Sequence, residues 1–356
     1  MQFLIGLIAF IFMLSVIVII HEFGHFMVAR HFGVYCHEFS IGMGPAIYQH
    51  QGKETMFSIR AIPLGGYVMM AGEEDGSQDE QEEWLKAVPE ERRLNTKPCY
   101  QQILVMLAGI VMNALLAWVI FVGLAMAKGY VVEDAKPIVY AVQENTPAEE
   151  AGLKKGDHIV KATCNGESIK PSTQYELLEW AQYNHDTIDL TIKRNKEIIH
   201  TSLKPSYDKE NSVYLFGYQA AAYARKTAWY EGFGNGTKDW LDSGSAIFSS
   251  LNHLIHGQGL ENLSGPVGIF SVTSKSTQMG LSSYLSLFAM ISLNIGIFNA
   301  IPIPALDGGR ILILLIEKML HRKISTQVVE RIIMASFALL LLIFFYATYN
   351  DILRVL

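Results

Sequence analysis

The chain has 356 residues, of which half are apolar and only 17% are charged, and its mean hydropathy is positive. This composition argues against a wholly soluble protein. The formal net charge of −6 provides no basic surface of the kind that binds nucleic acid, so we expect no nucleic-acid partner. The three cysteines, Cys36, Cys99 and Cys164, lie far apart and predict neither a disulfide framework nor a thiolate zinc site.

Four uncharged stretches are long enough to cross a bilayer, which requires about 20 apolar residues. They cover residues 3–20, 103–127, about 284–305 and 332–349. The first stretch lacks the basic start and the small-residue cleavage site of a secretory signal peptide, so we interpret it as a retained span. The predicted fold class is therefore a multi-pass α-helical membrane protein with about four spans.

Lysine and arginine residues near the membrane predict the orientation, because they concentrate on the cytoplasmic side. The segment between the first two spans carries Arg30, Lys53, Arg60, Lys86, Arg92, Arg93 and Lys97. The segment between the last two spans carries Arg310, Lys318, Arg322 and Lys323, with Arg331 at its edge. We expect both segments to face the cytoplasm and the long region 128–280 to lie outside.

Residues 34–72 follow the first span region, 1–33, and alternate apolar with polar side chains. Glycine-rich turn signals occur at 42–45 and 63–66, so this segment predicts a membrane-associated β-hairpin region. Open strand edges are tolerated at the membrane only where protein or a water-filled cavity covers them. The segment 73–102, which begins with the acidic run 73–83, predicts a solvated cytoplasmic loop before the second span region, 103–128.

Residues 129–205 predict a separate soluble α+β domain. Strand patterns at 138–142, 158–163 and 188–192 alternate with helical patterns near 147–153 and 172–183, and Asn165-Gly166 is a hairpin turn signal. The stretch PAEEAGLKKGDHIVKATCNG resembles a PDZ domain, a fold that binds peptides by strand addition and captures terminal carboxylates. A generic small α+β domain is the alternative. A second G-L-x-x-G-D turn is not present in the sequence, so we expect one such domain.

The segment 206–280 is predicted to lie outside the membrane at its interface. Residues 229–256 have the mixed apolar spacing of an amphipathic interfacial helix. His253 and His256 stand three residues apart, which is compatible with a metal site. With neither a carboxylate nor a third histidine nearby in the sequence, we favour interfacial polar residues over metal ligands.

The motif His21-Glu22-Phe23-Gly24-His25 follows the first apolar stretch directly. Positions i and i+4 share one face of a helix, so both imidazoles can bind the same zinc ion. Glu22 is then placed to take a proton from a water molecule on the zinc ion. Ionisable residues at membrane depth usually mark a functional site; the alternative is a boundary cluster bonded only to its neighbours.

A catalytic zinc ion needs a third protein ligand and an open position for water, and Asp307 is the candidate ligand. It follows two prolines in the sequence NAIPIPALDGG, residues 299–309. The prolines interrupt the third span region, 281–320, and the two glycines allow close backbone packing. The predicted topology brings Asp307 to the same side as His21 and His25. The alternative is a residue at a helix end or in a turn.

These motifs together closely resemble the site-2 protease family, and among its members the bacterial RseP-like intramembrane metalloproteases. The resemblance is carried by HEFGH, by the PDZ-like insert with the span arrangement, and by NAIPIPALDGG. The sequences AIPLGGY at 61–67 and LSGPVGI at 263–269 are also similar to that family. The resemblance covers essentially the whole chain, including the fourth span region, 321–356.

The resemblance implies one Zn²⁺ per chain, held by His21, His25 and Asp307, with Glu22 as the general base. It also implies substrate-binding roles, which we assign to Asn294, Asn299, Pro302, Pro304, Gly65, Gly66 and Tyr67. The region around 61–67 would offer an edge strand to the substrate, because pairing as a strand exposes peptide bonds that a helix hides.

The family further implies a bacterial cytoplasmic (inner) membrane, with the PDZ-like domain extracytoplasmic and the active site toward the cytoplasm. Its usual substrates are single-span membrane proteins already shortened by another protease, including anti-sigma factors and remnant signal peptides. A peptide or protein C-terminus at the PDZ-like domain is a further expected partner. Some relatives carry two tandem PDZ domains, whereas one is expected here, so a size-filtering role for this region stays a hypothesis.

Two other functions are compatible with parts of this pattern. A catalytically inactive, membrane-anchored PDZ scaffold would bind partners without cutting them, but all four expected catalytic residues are present. A membrane zinc carrier would repeat polar residues across several spans, which this sequence does not do. We therefore expect a zinc metalloendopeptidase that hydrolyses peptide bonds within transmembrane segments.

Overall fold

The computed structural model describes residues 2–73, 84–133, 135–208, 213–220, 223–256 and 264–355. The chain divides into two compact units. The helical unit consists of Met1–Leu124, Phe233–Leu251 and Leu263–Leu356, and the α+β unit consists of Ala125–Gly232 and Asn252–Asn262. Most of the predicted acidic run, 74–83, lies outside the described residues, as does Leu263 of the LSGPVGI sequence.

The helical unit is built mainly from helices, with one long β-hairpin after the first of them. Its elements are α1 (Gln2–His31), β1 (Cys36–Gln51), β2 (Met56–Met70), α2 (Cys99–Lys128), α5 (Glu231–Ile255), α6 (Pro266–Met279), α7 (Leu281–Ala300), α8 (Asp307–Leu320) and α9 (Thr326–Val355). Two short 3₁₀ turns, Glu90–Arg92 and Leu94–Thr96, precede α2.

Four helices in the described part of the chain are long and apolar enough to cross a membrane. They cover Gln2–His31, Cys99–Lys128, Leu281–Ala300 and Gln327–Arg354, so the prediction of about four apolar helices is confirmed. The third is shorter than the predicted stretch 284–305, because the helix ends at Ala300. Pro302 and Pro304 follow that end, and proline cannot supply the N–H groups that would continue a helix.

The amphipathic pattern at 229–256 forms the helix α5. The indole nitrogen of Trp240 donates to the carbonyl oxygen of Ala114 on α2 at 3.0 Å. Ile247 is buried in a cluster with Ala117 of α2 and Leu293 of α7. One face of α5 therefore packs against two of the apolar helices.

The hairpin β1–β2 is longer and more bent than the sequence predicts. The chain reverses at residues 52–55, where the Gly52 N–H donates to the Thr55 carbonyl at 2.9 Å. The glycine-rich signals at 42–45 and 63–66, predicted as turns, fall inside the ranges of β1 and β2. The register nevertheless reverses the chain direction near both, because 38–41 and 48–51 pair with 56–59 in opposite directions, as do 56–59 and 66–69 with 38–41. Positive φ angles at Gly42, Gly44 and Gly65 bend the strands there as β-bulges do.

These bends divide the hairpin into four paired segments. Residues 38–41 pair on one side with 56–59 and on the other with 66–69, while 48–51 pair with the outer side of 56–59. The order across the sheet is therefore 48–51, 56–59, 38–41 and 66–69. Among the described residues, the first and last of these segments are the sheet edges.

A buried carboxylate fastens this sheet together. Glu38 is 4% exposed and accepts hydrogen bonds from Ser58, from Arg60 at 2.8 Å and from the Tyr67 hydroxyl at 2.9 Å. Arg60 also donates to the Gly44 carbonyl at 2.7 Å. Burial alone would raise the pKa of Glu38, but these hydrogen bonds hold that pKa below its ordinary value. The ionised carboxylate therefore links three of the four paired segments to the bend at Gly44.

The α+β unit contains strands around one hydrophobic core. Its elements are β3 (Tyr130–Glu133), β4 (Val139–Val142), α3 (Pro147–Glu150), β5 (His158–Cys164), β6 (Glu167–Ile169), α4 (Gln174–Tyr183), β7 (Ile188–Arg194), β8 (Glu197–Leu203), β9 (Ser206–Asp208), β10 (Val213–Leu215), β11 (Tyr218–Ala220) and β12 (Tyr223–Lys226). The main sheet has the order β6-β5-β7-β8, and α4 buries Leu177 and Ala181 in the core beneath it.

The α+β unit is larger than the predicted range 129–205. Phe216 is 2% exposed and belongs to its core. In addition, β11 pairs with β4 and β12 pairs with β3, so the chain returns to the start of the unit before leaving it. The predicted interfacial segment 206–280 therefore begins inside this unit. Such long-range pairing leaves no local signal in the sequence.

An internal ion pair holds the turn before β5 in the α+β unit. Asp157 is fully buried, and its carboxylate accepts from Arg194 at 2.6 and 2.7 Å and from the Lys154 N–H at 2.7 Å. Burial alone would raise the pKa of Asp157, but these hydrogen bonds hold that pKa below its ordinary value. The ionised form of Asp157 therefore stabilises the folded unit.

We predict that Asp157→Ala lowers the free energy of unfolding of this unit by at least about 2 kcal/mol, because charged hydrogen bonds each contribute about 1.5–3 kcal/mol. The wild-type contribution of Asp157 is present above pH of about 4, where the unfolded group ionises, and decreases as the pH falls below that value. Hydrogen exchange of β5 and β7 as a function of pH measures both effects.

Asp189→Ala is the matched control, because Asp189 is exposed on the same strand as Arg194. This variant should change the stability by less than about 0.5 kcal/mol. Equal protection of β5 in the Asp157→Ala variant and in the wild type would contradict the assigned role.

Candidate active site

Helix α1 presents two imidazoles on one face. His21 and His25 are 8% and 5% exposed, and their Nε2 atoms lie 3.1 Å apart. The spacing of four residues places both rings on the same side of the helix. The two rings meet edge to face, with centroids 4.6 Å apart.

Asp307 reaches the same point from a different part of the chain. Helix α7 ends at Ala300, a tight turn follows, and α8 begins at Asp307. A Cβ atom at Gly308 or Gly309 would overlap the carbonyl oxygens of Ala300 or Ile303. Glycine is therefore required at both positions for the first turn of α8 to lie against the preceding turn, and this packing fixes the position of Asp307.

The three side chains converge through one atom each. Asp307 Oδ2 lies 3.2 Å from His21 Nε2 and 3.5 Å from His25 Nε2. Two ligands of a tetrahedral zinc ion, each about 2.0–2.1 Å from the metal, are separated by about 3.3 Å. The three observed separations, 3.1, 3.2 and 3.5 Å, therefore match three corners of such a tetrahedron.

The chemistry of these atoms also fits a metal ion. Asp307 Oδ2 is buried and accepts no hydrogen bond, which is costly for a carboxylate oxygen unless a cation neutralises it. In the described part of the chain, this is the one group of three potential ligand residues whose atoms lie within 4.8 Å of one another. Two histidines and one carboxylate leave the fourth position of a catalytic zinc site open for water.

Glu22 follows His21 directly in α1. Its side chain is half-buried, and its carboxylate lies close enough to His21, His25 and Asp307 for their charges to interact. It is therefore an acidic group beside the three converging atoms that is not itself one of them.

Helix α2 supplies supporting contacts that the sequence motifs do not indicate. The Val105 carbonyl lies 2.8 Å from His25 Nδ1, and the Asn113 side chain lies 3.5 Å from His21 Nδ1. A Cβ atom at Gly109 would overlap His25 Nε2 and lie 2.7 Å from His21 Cε1. Asn113 could have been suspected as the most polar residue of its span, whereas nothing in the sequence distinguishes Gly109.

The residues with predicted substrate roles on α7 and after it lie on different surfaces. Asn294 and Asn299 are half-buried on α7, five residues apart and therefore not on the same face. Pro302 is exposed and Pro304 is half-buried in the turn that leads to Asp307. The structure thus places Asn299, Pro302 and Pro304 in the segment that leads directly into Asp307.

Gly65, Gly66 and Tyr67 lie in β2 at the start of the edge segment 66–69. The Tyr67 hydroxyl donates a hydrogen bond to Glu38, so this side chain lies over the neighbouring strand segment that carries Glu38. The Ser15 hydroxyl of α1 donates to the Pro63 carbonyl, which fastens the adjacent bend to the helix that carries both histidines. This edge therefore offers backbone groups close to α1.

The remaining histidine pair belongs to the α+β unit and makes other contacts. His253 stacks on Tyr183 with ring centroids 3.7 Å apart. His256 bonds through Nδ1 to the Asn252 carbonyl at 2.7 Å. These contacts use both rings for packing and helix-end hydrogen bonding.

We predict that Gly109→Ala removes zinc from the purified protein, lowering its zinc affinity by more than about tenfold, as perturbation of a ligand's surroundings commonly does. The added methyl group would occupy the space of both imidazoles. Gly123→Ala on the same helix is the control, because no atom lies within 4 Å of its built Cβ. Equal zinc affinity in the two variants would show that the close approach of α2 is unimportant.

Comparison with known proteins assigns the chain to a family. A solved PDZ domain of the SdrC-like protein (Lmo2051) from Listeria monocytogenes is similar over 26% of this chain and 93% of that domain. The identity is 21% and the TM-score is 0.21, a likeness too weak to assign the fold of the α+β unit.

Similarity to full-length bacterial proteins is much stronger. CPE1693 of Clostridium perfringens is 33% identical over 356 residues, which cover 99% of both chains. The regulator of sigma-W protease RasP of Bacillus subtilis is 29% identical over 425 residues, again 99% of both. The zinc metalloprotease RasP of Shouchella clausii is 27% identical, covering 97% of this chain and 98% of that protein. Residues 9–343 match the model of peptidase family M50. The predicted resemblance is thereby confirmed: the chain belongs to peptidase family M50 and is a zinc metalloprotease.

Proposed function

We propose that this protease cleaves peptide bonds within the transmembrane segments of other proteins, with His21, His25 and Asp307 as zinc ligands and Glu22 as general base. The observation that carries the proposal is the convergence of three ligand atoms, two from His21 and His25 on a helix long enough to span a membrane and one from Asp307 at the start of α8. Ionisable groups are costly at that depth unless they serve a function.

The residues of the site have separate roles in the reaction. A bound zinc ion supplies Lewis acidity, which lowers the pKa of water from about 16 toward 7. Glu22 accepts the proton of the water that attacks the scissile carbonyl and returns it to the departing amine nitrogen. His21, His25 and Asp307 keep their ligand atoms fixed during both proton transfers, because all three are held by packed helices.

A transmembrane substrate must unwind before it can be cut, because a helix bonds its own peptide groups internally. We place the unwound segment along the edge 66–69 of the hairpin, where backbone groups can pair with it as an added strand. Val68 and Met70 of this edge are buried in one cluster with Ala29 of α1. The opposite edge, 48–51, is exposed throughout and lacks this anchorage.

The outer part of the hairpin is suited to contact with lipid or with an apolar substrate. Ile41, Met43, Ile47, Tyr48 and Ile62 are between 36% and 72% exposed. Large exposed apolar patches mark interaction surfaces. A transmembrane segment that leaves the lipid therefore meets an apolar surface before it reaches the active site.

The proposed orientation follows the distribution of basic residues. The ends of α1 and α8 carry Arg30 and Lys318 respectively, and basic residues near membrane ends favour the cytoplasmic side. The active site then faces the cytoplasm of a bacterial cell across its inner membrane, and the α+β unit is extracytoplasmic.

The proposed substrates are single-span membrane proteins already shortened outside the membrane. The name of the Bacillus subtilis relative connects that protein to the regulation of sigma-W, which makes an anti-sigma factor one candidate substrate and remnant signal peptides another. One α+β unit of PDZ type would then act on the shortened outer part. Its role in size filtering predicts that deleting residues 131–205 permits cleavage of intact substrates.

A peptide C-terminus at the α+β unit would have to enter beside α4. Tyr218 of β11 donates to Gln174 of α4 at 2.5 Å, and Gln182 exchanges two hydrogen bonds with the Tyr214 backbone at 2.7 and 3.0 Å. These bonds connect both ends of α4 to the segment 214–218. A peptide inserted there as an added strand would have to replace them.

The second candidate function is an inactive membrane-anchored scaffold that uses the α+β unit for binding. This function requires neither a metal ion nor a general base. The buried carboxylate oxygen of Asp307, close to two imidazoles, favours the protease, because such an arrangement is costly without an ion.

The decisive experiment measures cleavage of a tagged single-span substrate, shortened outside the membrane, by detergent-purified wild type, Glu22→Gln and Asp307→Ala, with zinc quantified in each. We predict that the wild type cuts within the span and that neither variant does. Glu22→Gln should keep its zinc, because only the base is removed, whereas Asp307→Ala should lose at least about tenfold in zinc affinity.

Asp242→Ala is the control for loss of a carboxylate, because Asp242 is 64% exposed on α5. Proteolysis by Glu22→Gln at the wild-type rate would overturn the role of Glu22. Full zinc retention by Asp307→Ala would remove Asp307 from the ligand set. A wild-type protein that cuts no span while holding partners would favour the scaffold.

The hairpin gives a separate prediction. Glu38→Ala frees Ser58, Arg60 and Tyr67 from their common acceptor, and loss of one partner from a buried charge pair costs about 3–5 kcal/mol. We expect the edge 66–69 to lose its fixed position, so that KM for the single-span substrate rises at least about tenfold while zinc content is unchanged. Tyr48→Phe, at an exposed hairpin tyrosine, should leave KM unchanged. A lowered zinc content in Glu38→Ala would contradict this assignment.

A further inference from the structure

The two histidines of the site differ in how their second ring nitrogen is held. His25 Nδ1 lies 2.8 Å from the Val105 carbonyl oxygen. A carbonyl can only accept, so His25 Nδ1 carries the proton and His25 Nε2 keeps its lone pair. The Nδ1 atom of His21 instead faces the Asn113 side chain, with the amide nitrogen Nδ2 at 3.5 Å.

Asn113 is buried in a way that needs an explanation. It is 0% exposed within a helix that is otherwise almost wholly apolar. The Ser292 hydroxyl bonds to its backbone carbonyl at 2.9 Å and does not reach the side-chain amide. The amide oxygen Oδ1 is buried and has no hydrogen-bond partner, a costly arrangement at membrane depth.

A zinc ion changes what His21 requires from this neighbour. A histidine that binds a metal through Nε2 carries its proton on Nδ1, and that N–H needs an acceptor. Without the ion, His21 can instead accept at Nδ1 from the amide nitrogen of Asn113 at 3.5 Å. A rotation of the Asn113 amide by 180° exchanges its oxygen and nitrogen.

We propose that Asn113 is the positioning residue for His21, its amide oxygen accepting the Nδ1–H of His21 when zinc is bound. This inference rests on the proposed zinc ligands and adds to them. Asn113 then does for His21 what the Val105 carbonyl does for His25: it selects the tautomer that presents Nε2. The same rotation brings the unpaired Oδ1 of Asn113 to the Nδ1–H of His21, which donates a hydrogen bond to it.

The test measures the zinc affinity of the purified full-length protein by competition with a chelator. Asn113→Leu has similar volume and no acceptor, and should weaken zinc binding about 10–100-fold, the range found when such supporting partners are removed. Asn113→Asp keeps an acceptor oxygen and should bind zinc within about threefold of the wild type, since carboxylates commonly support metal-bound histidines. Rescue by Asp would exclude a role in packing alone.

Two further variants keep the test decisive. Ser292→Ala removes the neighbouring hydrogen bond but leaves the amide, and should bind zinc like the wild type. If Asn113→Leu does not fold, Asn113→Ser replaces it, because its shorter hydroxyl cannot reach His21 and should show the same loss. Zinc binding by Asn113→Leu or Asn113→Ser that equals the wild type would overturn the inference.

The failure of this inference can be distinguished from failure of the proposed function. If His21→Ala and Asp307→Ala lose zinc while the Asn113 variants keep it, the ligand assignment stands and only the role of Asn113 falls. If His21→Ala binds zinc as tightly as the wild type, the proposed ligand set falls, and the inference about Asn113 falls with it.

Discussion

The close crossing of α1 and α2 is the constraint on which the site depends. Gly24 of α1 approaches the Ala108 carbonyl so closely that a Cβ there would lie 2.5 Å from its oxygen. One residue further along α2, Gly109 leaves room for both imidazoles. Two glycines on facing helices thus bring the backbones together, as small residues do in membrane helix pairs. Any larger side chain at the crossing would separate the histidines from the contacts that α2 provides.

The turn between α7 and α8 positions the third ligand atom, which belongs to Asp307. Two prolines end α7 and two glycines allow α8 to start immediately against the turn that follows. The side chain of Asp307 therefore originates at the first position of a helix instead of the middle of one. Its position is set by backbone packing at Gly308 and Gly309, so it does not depend on the rotamer of a long side chain. Irregular backbone at membrane depth is tolerated only where protein or a water-filled cavity covers it.

The sequence predicted those parts of the architecture that depend on a pattern within a short stretch of residues. HEFGH places two imidazoles on one helix face, and the apolar stretches predict the four long helices. The bend at Pro302 and Pro304 was visible because proline cannot continue a helix. The predicted topology and the proline and glycine residues around Asp307 made it the candidate partner of the histidines across more than 280 residues, and the family resemblance implied the same ligand.

Other features have no local signature. The order of the four paired segments of the hairpin is set by partners far along the chain, which the glycines at 42, 44 and 65 do not indicate. Phe216 belongs to the core of the α+β unit although it follows the predicted boundary at 205. The importance of Gly109 follows only from the side chains of a different helix. In each case the deciding contact is long-range, and periodicity within one segment cannot report it.

The buried carboxylates of this protein differ in the groups that surround them. Both carboxylate oxygens of Glu38 accept hydrogen bonds from protein side chains. Asp351 of α9 uses one oxygen to cap α6 through the Gly268 N–H at 2.7 Å, whereas its other oxygen is buried without a hydrogen-bond partner and has no imidazole beside it among the described residues. At Asp307 the unsatisfied oxygen faces two imidazole nitrogens, and at Asn113 the unsatisfied amide lies behind one of those imidazoles. A single cation among the three ligand atoms would neutralise the first and set the orientation of the second, so one ion accounts for two unpaired groups that protein contacts alone leave unexplained.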